Sequence, residues 1–343
     1  MSLFCTKHEL TPGACRFLLA LLFTGTQACA QLWSPFSNDN LDNCVQNPGA
    51  CSADQLCNPV SEVCESAIRS LTVGKLGPGS GVITSSVGGV QCGSTCSTQL
   101  HLGTTVTLTV AADVASIFAG WSGDCSGSAP SCVIDIDADK SVRATFGKPV
   151  SCEQIKSADP QAVDGPFMLF VEGDPAKAWN AFCSMSPAPA TYLPLVNTSN
   201  ANYSQYTAGG ARPGTNVVTK YQRVRIDPVS LEVDPNDITF ASSTGMISDG
   251  MGGGIGTAIG YGAACDCIAA FSQTGVANVD LGGTPFAVAP SAFQVSGFRA
   301  AGNAVYSADS KVVKLTGGGY CGCYIPNVNA SSLARLQLLF VGK

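Results

Sequence analysis

The sequence predicts a mainly β, modular protein: a small disulfide knot, a small β unit, and a larger β-rich (α+β) C-terminal domain stapled by disulfides. Three observations predict it. Charged residues make up only 12% of the chain and hydrophobic ones 45%, with 38 glycines. That composition suits sheets joined by tight turns better than helical bundles. Short apolar or alternating segments recur at strand length between clusters of Gly, Pro, Asn and Asp. The cysteines beyond the first thirty residues fall in groups of four, four and six, the even counts that closed frameworks require. A length of 343 residues fits about two to three domains.

Residues 1–30 read as an export signal (signal peptide). Lys7 and Arg16 give a basic start, Phe17 to Phe23 an apolar core, and Ala28-Cys29-Ala30 small residues for cleavage. The apolar run is far shorter than the ~20 residues a spanning helix needs, and no second run of that length follows, so no transmembrane helix is expected. Cleavage after Ala30 would free a chain starting at Gln31. Lipid attachment at Cys29 is the alternative, with Thr26 standing where such a site wants Leu. The expected location is secreted or extracellular, or, with the lipid, a cell-surface lipoprotein. A net charge of −6 argues against nucleic acid, whose phosphates ask for a basic face. No basic run reaches four residues, which disfavours a polybasic membrane patch.

Residues 31–66 form a Cys-rich stapled segment with Cys44, Cys51, Cys57 and Cys64. It is too small for a core of its own, so two disulfides must hold it. Three connectivities are open. A spacer is the expected role, and a small binding knot the alternative.

Residues 67–148 form a second module. Leu71–Val73, Gly81–Thr84, Val106–Val110, Cys132–Ile136 and Ser141–Phe146 read as strands, with turns at Gly77-Pro-Gly79 and Asp137–Lys140. Cys92–Cys96 and Cys125–Cys132 are the expected local bridges. Asp135, Asp137 and Asp139 occupy the first ligand positions of a calcium loop, but Lys140 replaces its glycine and Phe146 its last glutamate. A solvated hairpin turn is the expected outcome. His101, the last histidine, cannot make a zinc site alone.

Residues 150–343 form the third module. Glu153–Ala158 holds helix formers and stops at Asp159-Pro160, since the residue before proline is pushed out of the helical region. Phe167–Val171 and Trp179–Cys183 read as strands. A Cys152–Cys183 bridge would contribute roughly 3–4 kcal/mol by the chain-entropy estimate. In Cys265-Asp-Cys267 and Cys321-Gly-Cys323, residues two apart on a strand face one side. The two pairs could therefore join across adjacent strands. Crossed disulfides are the expected state, and a four-thiolate zinc site the alternative, disfavoured by oxidation during export. Gly250–Gly262 lacks the register and the Lys-Ser/Thr of a phosphate cradle, so a mobile or bulged surface loop is expected.

Two resemblances add to this reading. Phe118-Ala-Gly-Trp121-Ser-Gly-Asp-Cys125 with Asp139-Lys-Ser-Val-x-Ala-Thr-Phe146 resembles the divergent internalin-type B repeat of bacterial surface proteins. That implies a β-grasp-like unit used as a stalk or adhesive spacer, with Trp121 as its core anchor. From Cys152 onward the chain resembles the GON domain, the terminal module of some secreted ADAMTS-type zinc proteases, also found in bacterial exported proteins. The resemblance rests on Asp164-Gly165-Pro-Phe167, Tyr192-Leu193-Pro-Leu195, Val224-Arg225-Ile226-Asp227-Pro228, Asn278-Val-Asp280-Leu-Gly-Gly-Thr284-Pro285-Phe286 and Leu315-Thr-Gly-Gly-Gly-Tyr320-Cys321, with a final strand at Leu336–Phe340. The opening loop also resembles the start of fibrinogen-type domains, but no Gly-Gly-Gly-Trp-Thr follows Met185.

No catalytic residue transfers with that resemblance. Residues 102–343 contain no histidine, so the metallopeptidase motif and a Ser-His-Asp or Cys-His arrangement are absent. Zinc enters only by family association, and calcium is the one other metal the acidic residues suggest. Glu232 and Asp234 share a strand face with Asp237 nearby, which a glycoside hydrolase could use only across a cleft. The expected function is binding or adhesion, with the GON-like domain recognising an extracellular protein or glycan. The alternatives are a non-catalytic module associated with zinc metalloendopeptidases, or a carboxylate-based hydrolase.

Overall fold

The computed structural model describes residues 44–342, apart from 48, 94, 199, 211–212, 249–253 and 330–331. The expected export signal, with Cys5, Cys15 and Cys29, lies outside the described residues. The chain divides into two compact units at Arg69/Ser70.

The first unit is a hairpin. Gln55–Cys57 pairs antiparallel with Cys64–Ser66. The Asn58 side chain shapes the turn by accepting from the backbone N–H groups of Val60 and Ser61 at 2.9 and 3.2 Å, an Asx turn. Cys44 bonds to Cys57 and Cys51 to Cys64. Its buried hydrophobic residues, among those described, are Cys44 and Ala67. Covalent links therefore do here what a core does elsewhere.

The second unit contains both larger modules. Its first part stacks two four-stranded sheets, one built on Ile68–Leu76 and Lys140–Gly147, the other on Gly81–Ser85 and Thr105–Ala112. Ile68–Leu76 and Lys140–Gly147 pair in parallel at the centre of the first sheet, the pairing of first and last strands that a β-grasp uses. No helix occurs among the described residues of this part; the second sheet shares the core with the first instead. Alternating positions face inward, as the burial of Leu71 and Val73, Val106 and Leu108, and Val142, Ala144 and Phe146 shows. Trp121 closes this core at 6% exposure. Its Nε1 donates to Ala129 O at 2.9 Å and its ring meets Phe118 edge-on.

The C-terminal part is built on two larger sheets. One has seven strands, in the order Gly165–Phe170, Ala178–Ser184, Ala190–Pro194, Arg223–Asp227, Glu232–Asp234, Leu336–Phe340, Phe286–Val288. The last strand of the chain thus inserts between two others. The second sheet has nine strands, with Ala264–Asp266 next to Gly322–Pro326. One apolar core joins the sheets, running from Leu169, Trp179 and Leu193 to Val279, Leu315 and Leu338. The helix Cys152–Ala158 precedes the first strand. Ser151 caps it, its side chain accepting from Gln154 N, with Glu153 in its first turn and Lys156 in its last, each suited to the helix dipole there.

The glycine-rich segment departs from expectation. Residues 250–253 lie outside the described set, but Gly254–Gly256 is a strand paired with Ile247–Ser248. Beyond it, Ile259 and Tyr261 are buried at 8% and 0% exposure. The glycines allow close approach: Gly262 has φ 71°, and a Cβ on it would press on Phe293 and Val279. Tyr261 OH then reaches Asn202 Oδ1 at 2.6 Å. The second half of this run is core, not surface loop.

Lys148 ties the two parts of the unit. Its Nζ donates to Ala115 O at 3.2 Å and sits over the Phe170 ring, while Phe170 N donates to Pro149 O.

Candidate functional site

In the C-terminal domain the two Cys-x-Cys segments meet on adjacent strands of the nine-stranded sheet and are cross-linked twice. Ala264–Asp266 and Gly322–Pro326 run antiparallel with Cys265 opposite Cys323. Cys265 bonds to Cys323 and Cys267 to Cys321. Two successive rungs of sulfur thus span one strand pair on one face, because the side-chain period of a strand is two.

Between the rungs, Asp266 points to the opposite side and is fully buried. Its carboxylate accepts from Ser272 Oγ at 2.6 Å, from Thr274 N and Oγ1 at 2.8 and 2.9 Å, and from Gly319 N at 2.8 Å. Burial pushes its pKa up, but the combined hydrogen bonds from Gly319, Ser272 and Thr274 outweigh it and hold the carboxyl below the usual carboxylate range. A buried charge survives only when its lone pairs are satisfied in this way. Gly318 is required beside it: a Cβ there would collide with the carboxylate. Asp266 therefore fastens the loops after residues 267 and 318 to one point.

The acidic group around Glu232 is arranged differently. Glu232 and Asp234 share a face of the strand Glu232–Asp234, and a groove of about 510 Å³ beside them is lined also by Glu153, Asp227, Arg225 and Arg335. Asp234 is paired with Arg335 at 3.4 Å and Asp237 with Arg225 at 3.6 Å. Asp237 also accepts from Tyr192 OH at 3.2 Å and from Thr239 N at 3.0 Å. Two-carboxylate hydrolysis needs one carboxyl poised to give a proton to its substrate. Asp234 and Asp237 are engaged by guanidinium groups instead. Arg223 on the same strand as Arg225 is stacked between Phe182 and Phe240, 3.7 and 4.5 Å from the ring centroids.

A second groove of about 510 Å³ is apolar, with Met168, Trp179, Leu193, Pro285 and Phe340 among its lining and no charged side chain. Trp179 Nε1 is buried without a hydrogen-bond partner, and its ring meets Phe286 edge-on at 5.2 Å.

Cys92 bonds to Cys96, Cys125 to Cys132 and Cys152 to Cys183. The sulfurs of Cys44, Cys51 and Cys64 lie within 4.8 Å of one another, yet each is already bonded to another sulfur. The three aspartates of the hairpin turn serve three partners: Asp135 accepts from Thr105 Oγ1, Asp137 pairs with Lys140, and Asp139 accepts from Ser70 N. His101 is exposed. Asp266 was not legible as important, although it sits inside the most conspicuous motif. An acid between two cysteines gives no sign of which loops will return to it.

Comparison with known families finds both resemblances. Residues 211–335 match the GON domain and residues 82–149 match the divergent InlB B-repeat domain. No curated protein and no solved structure matches the chain. The GON match begins inside the C-terminal domain; the strands Gly165–Phe170 and Ala178–Ser184, which precede it, belong to the same sheet and core as the matched residues. The disulfide-rich modules fit an extracellular protein. Among the described residues no helix is long and apolar enough to cross a membrane.

Proposed function

We propose that this is a secreted or surface-attached adhesion protein that acts by binding, its GON-like domain meeting an extracellular protein or glycan and its B repeat serving as spacer. One observation carries the reading. Three acids of the C-terminal domain are engaged by neighbouring residues: Asp266 accepts five hydrogen bonds, and Asp234 and Asp237 pair with arginines. Rigid loops with satisfied interiors favour recognition, which rewards preorganisation. Export with cleavage after Ala30, and cystines in place of metal-bound thiolates, belong to the same proposal.

The test is to array the full exported chain against extracellular proteins and glycans, alongside casein and peptide turnover with and without chelator. Saturable binding without turnover is the expected result. Chelator-sensitive turnover would replace this reading with a hydrolytic one.

A further inference from the structure

Three loops meet around the double cystine rung: residues 267–274, 295–300 and 319–322. Phe271 N donates to Arg299 O at 2.9 Å. Gly319 packs so closely that a Cβ on it would fall 2.5 Å from Arg299 O, and one on Gly322 would fall 2.7 Å from Ala300 Cβ. Asp266 holds the first and third loops, and the Cys267–Cys321 bond joins them covalently.

This surface is apolar and outward-facing. Phe271 is 62% exposed, Phe298 70% and Tyr320 50%, with Val295 and Ile268 exposed beside them. The three rings alone present roughly 350 Å² of accessible surface, at ~200 Å² for a whole ring side chain. That lies in the range of the largest apolar patch on a typical soluble monomer, which is often functional. The backbone of the loops that carry the rings is also constrained. Phe271, Arg299 and Cys321 all have left-handed backbone, at φ 60°, 51° and 56°. Non-glycine residues keep that conformation only where the surroundings over-determine it, and such positions gather at functional sites.

The chemistry of the patch selects its partner. Arg299 is the one charged side chain in the three loops. Its guanidinium lies near the Phe298 ring and forms no ion pair among the described residues. A sugar would need amide, hydroxyl or carboxylate groups around the rings. Here the Ser272 and Thr274 hydroxyls donate to Asp266 and the Gln273 oxygen accepts from Thr316, which leaves the Gln273 amide N–H groups and the Tyr320 hydroxyl, too few to ring a sugar. Exposed Phe and Tyr with a lone Arg, preorganised, are the composition of a protein–protein hot spot.

We infer that these three loops bind a folded extracellular protein through an apolar contact, with a carboxylate of that protein opposite Arg299. The inference rests on the reading of the chain as a binding protein. Its test is surface plasmon resonance of the full exported chain over three panels: purified extracellular proteins, protein-free glycans, and phosphatidylcholine vesicles with and without phosphatidylserine. The variants are Phe298→Ser, Phe271→Gly (which suits the left-handed backbone) and Arg299→Glu, each checked for an unchanged melting curve. Saturable binding to a member of the protein panel is expected, weakened about thirty-fold by either ring removal and about ten-fold or more by the charge reversal. Protein binding that all three variants retain would place the contact elsewhere and leave the binding reading intact. Responses on glycans or vesicles alone would overturn the partner class. Silence on all three panels would overturn the binding reading itself.

Discussion

The two parts of the second unit use cystine in opposite ways. In the B repeat the bonds are local, closing separations of 4 and 7 residues. In the GON-like domain they close 31, 54 and 58. On the chain-entropy estimate a local bond contributes about 2 kcal/mol and each long one about 4. The repeat can manage with the smaller sum because its alternating strands bury a continuous apolar core around Trp121. The GON-like domain must bring Ala264–Asp266 and Gly322–Pro326 together over a long stretch of chain. Its bonds fix a loop surface as well as a fold. The two rungs are not additive, since once one is made the other closes only a short remaining path.

The largest effect that could break this comparison comes from removing both rungs. Replacing Cys265, Cys267, Cys321 and Cys323 by serine should cost about 4 kcal/mol or more in urea unfolding, against about 2 for the Cys125/Cys132 pair. Equal losses would show that separation in sequence is not what distinguishes the two parts. Removing only Cys267 and Cys321 should cost clearly less than removing all four.

Gly318→Ala comes next. The added Cβ meets the Asp266 carboxylate, and the backbone φ of 156° is foreign to alanine. A loss of about 3 kcal/mol is expected in the same assay.

Asp266→Asn sharpens the comparison through pH. The folded pKa of Asp266 lies below the usual carboxylate range. A depressed carboxylate stabilises the fold above its unfolded pKa, and that stabilisation is lost as pH falls through the folded value. Wild-type stability should therefore decline below about pH 4. The amide substitution should cost about 2 kcal/mol at neutral pH and reduce the acid slope. A variant as stable as wild type, with the same slope, would remove Asp266 from its role as fastener.

The smallest expected effect is at the acidic groove. The Arg225 side chain is half exposed where it meets Asp237, so Arg225→Gln should cost at most about 1 kcal/mol. A larger loss would mean that this groove, and not the cystine end, is the more constrained site.

What the sequence made legible follows from the range of the signal. Strands of the B repeat were readable because inward and outward residues alternate over short stretches, as in Val106 and Leu108. The helix after Ser151 was readable from its formers and the Asp159-Pro160 stop. The Cys-x-Cys pairs were readable as sulfurs on one face of a strand. Positions set by distant chain segments were not. Nothing local says that Leu336–Phe340 inserts between two strands from elsewhere. Nothing local says that Ile259 and Tyr261 turn inward from a glycine-rich run that resembles a surface loop. Phe271, Phe298 and Tyr320 lie far apart in sequence, and only the folded loops bring them to one surface.

Non-reducing peptide mapping of the chain produced in an oxidising compartment, alkylated before digestion, tests the central claim most directly. Peptides linking Cys265 to Cys323 and Cys267 to Cys321 are expected, with all four cysteines protected from alkylation. Alkylated thiols at those positions, or a transition metal retained by them, would contradict it.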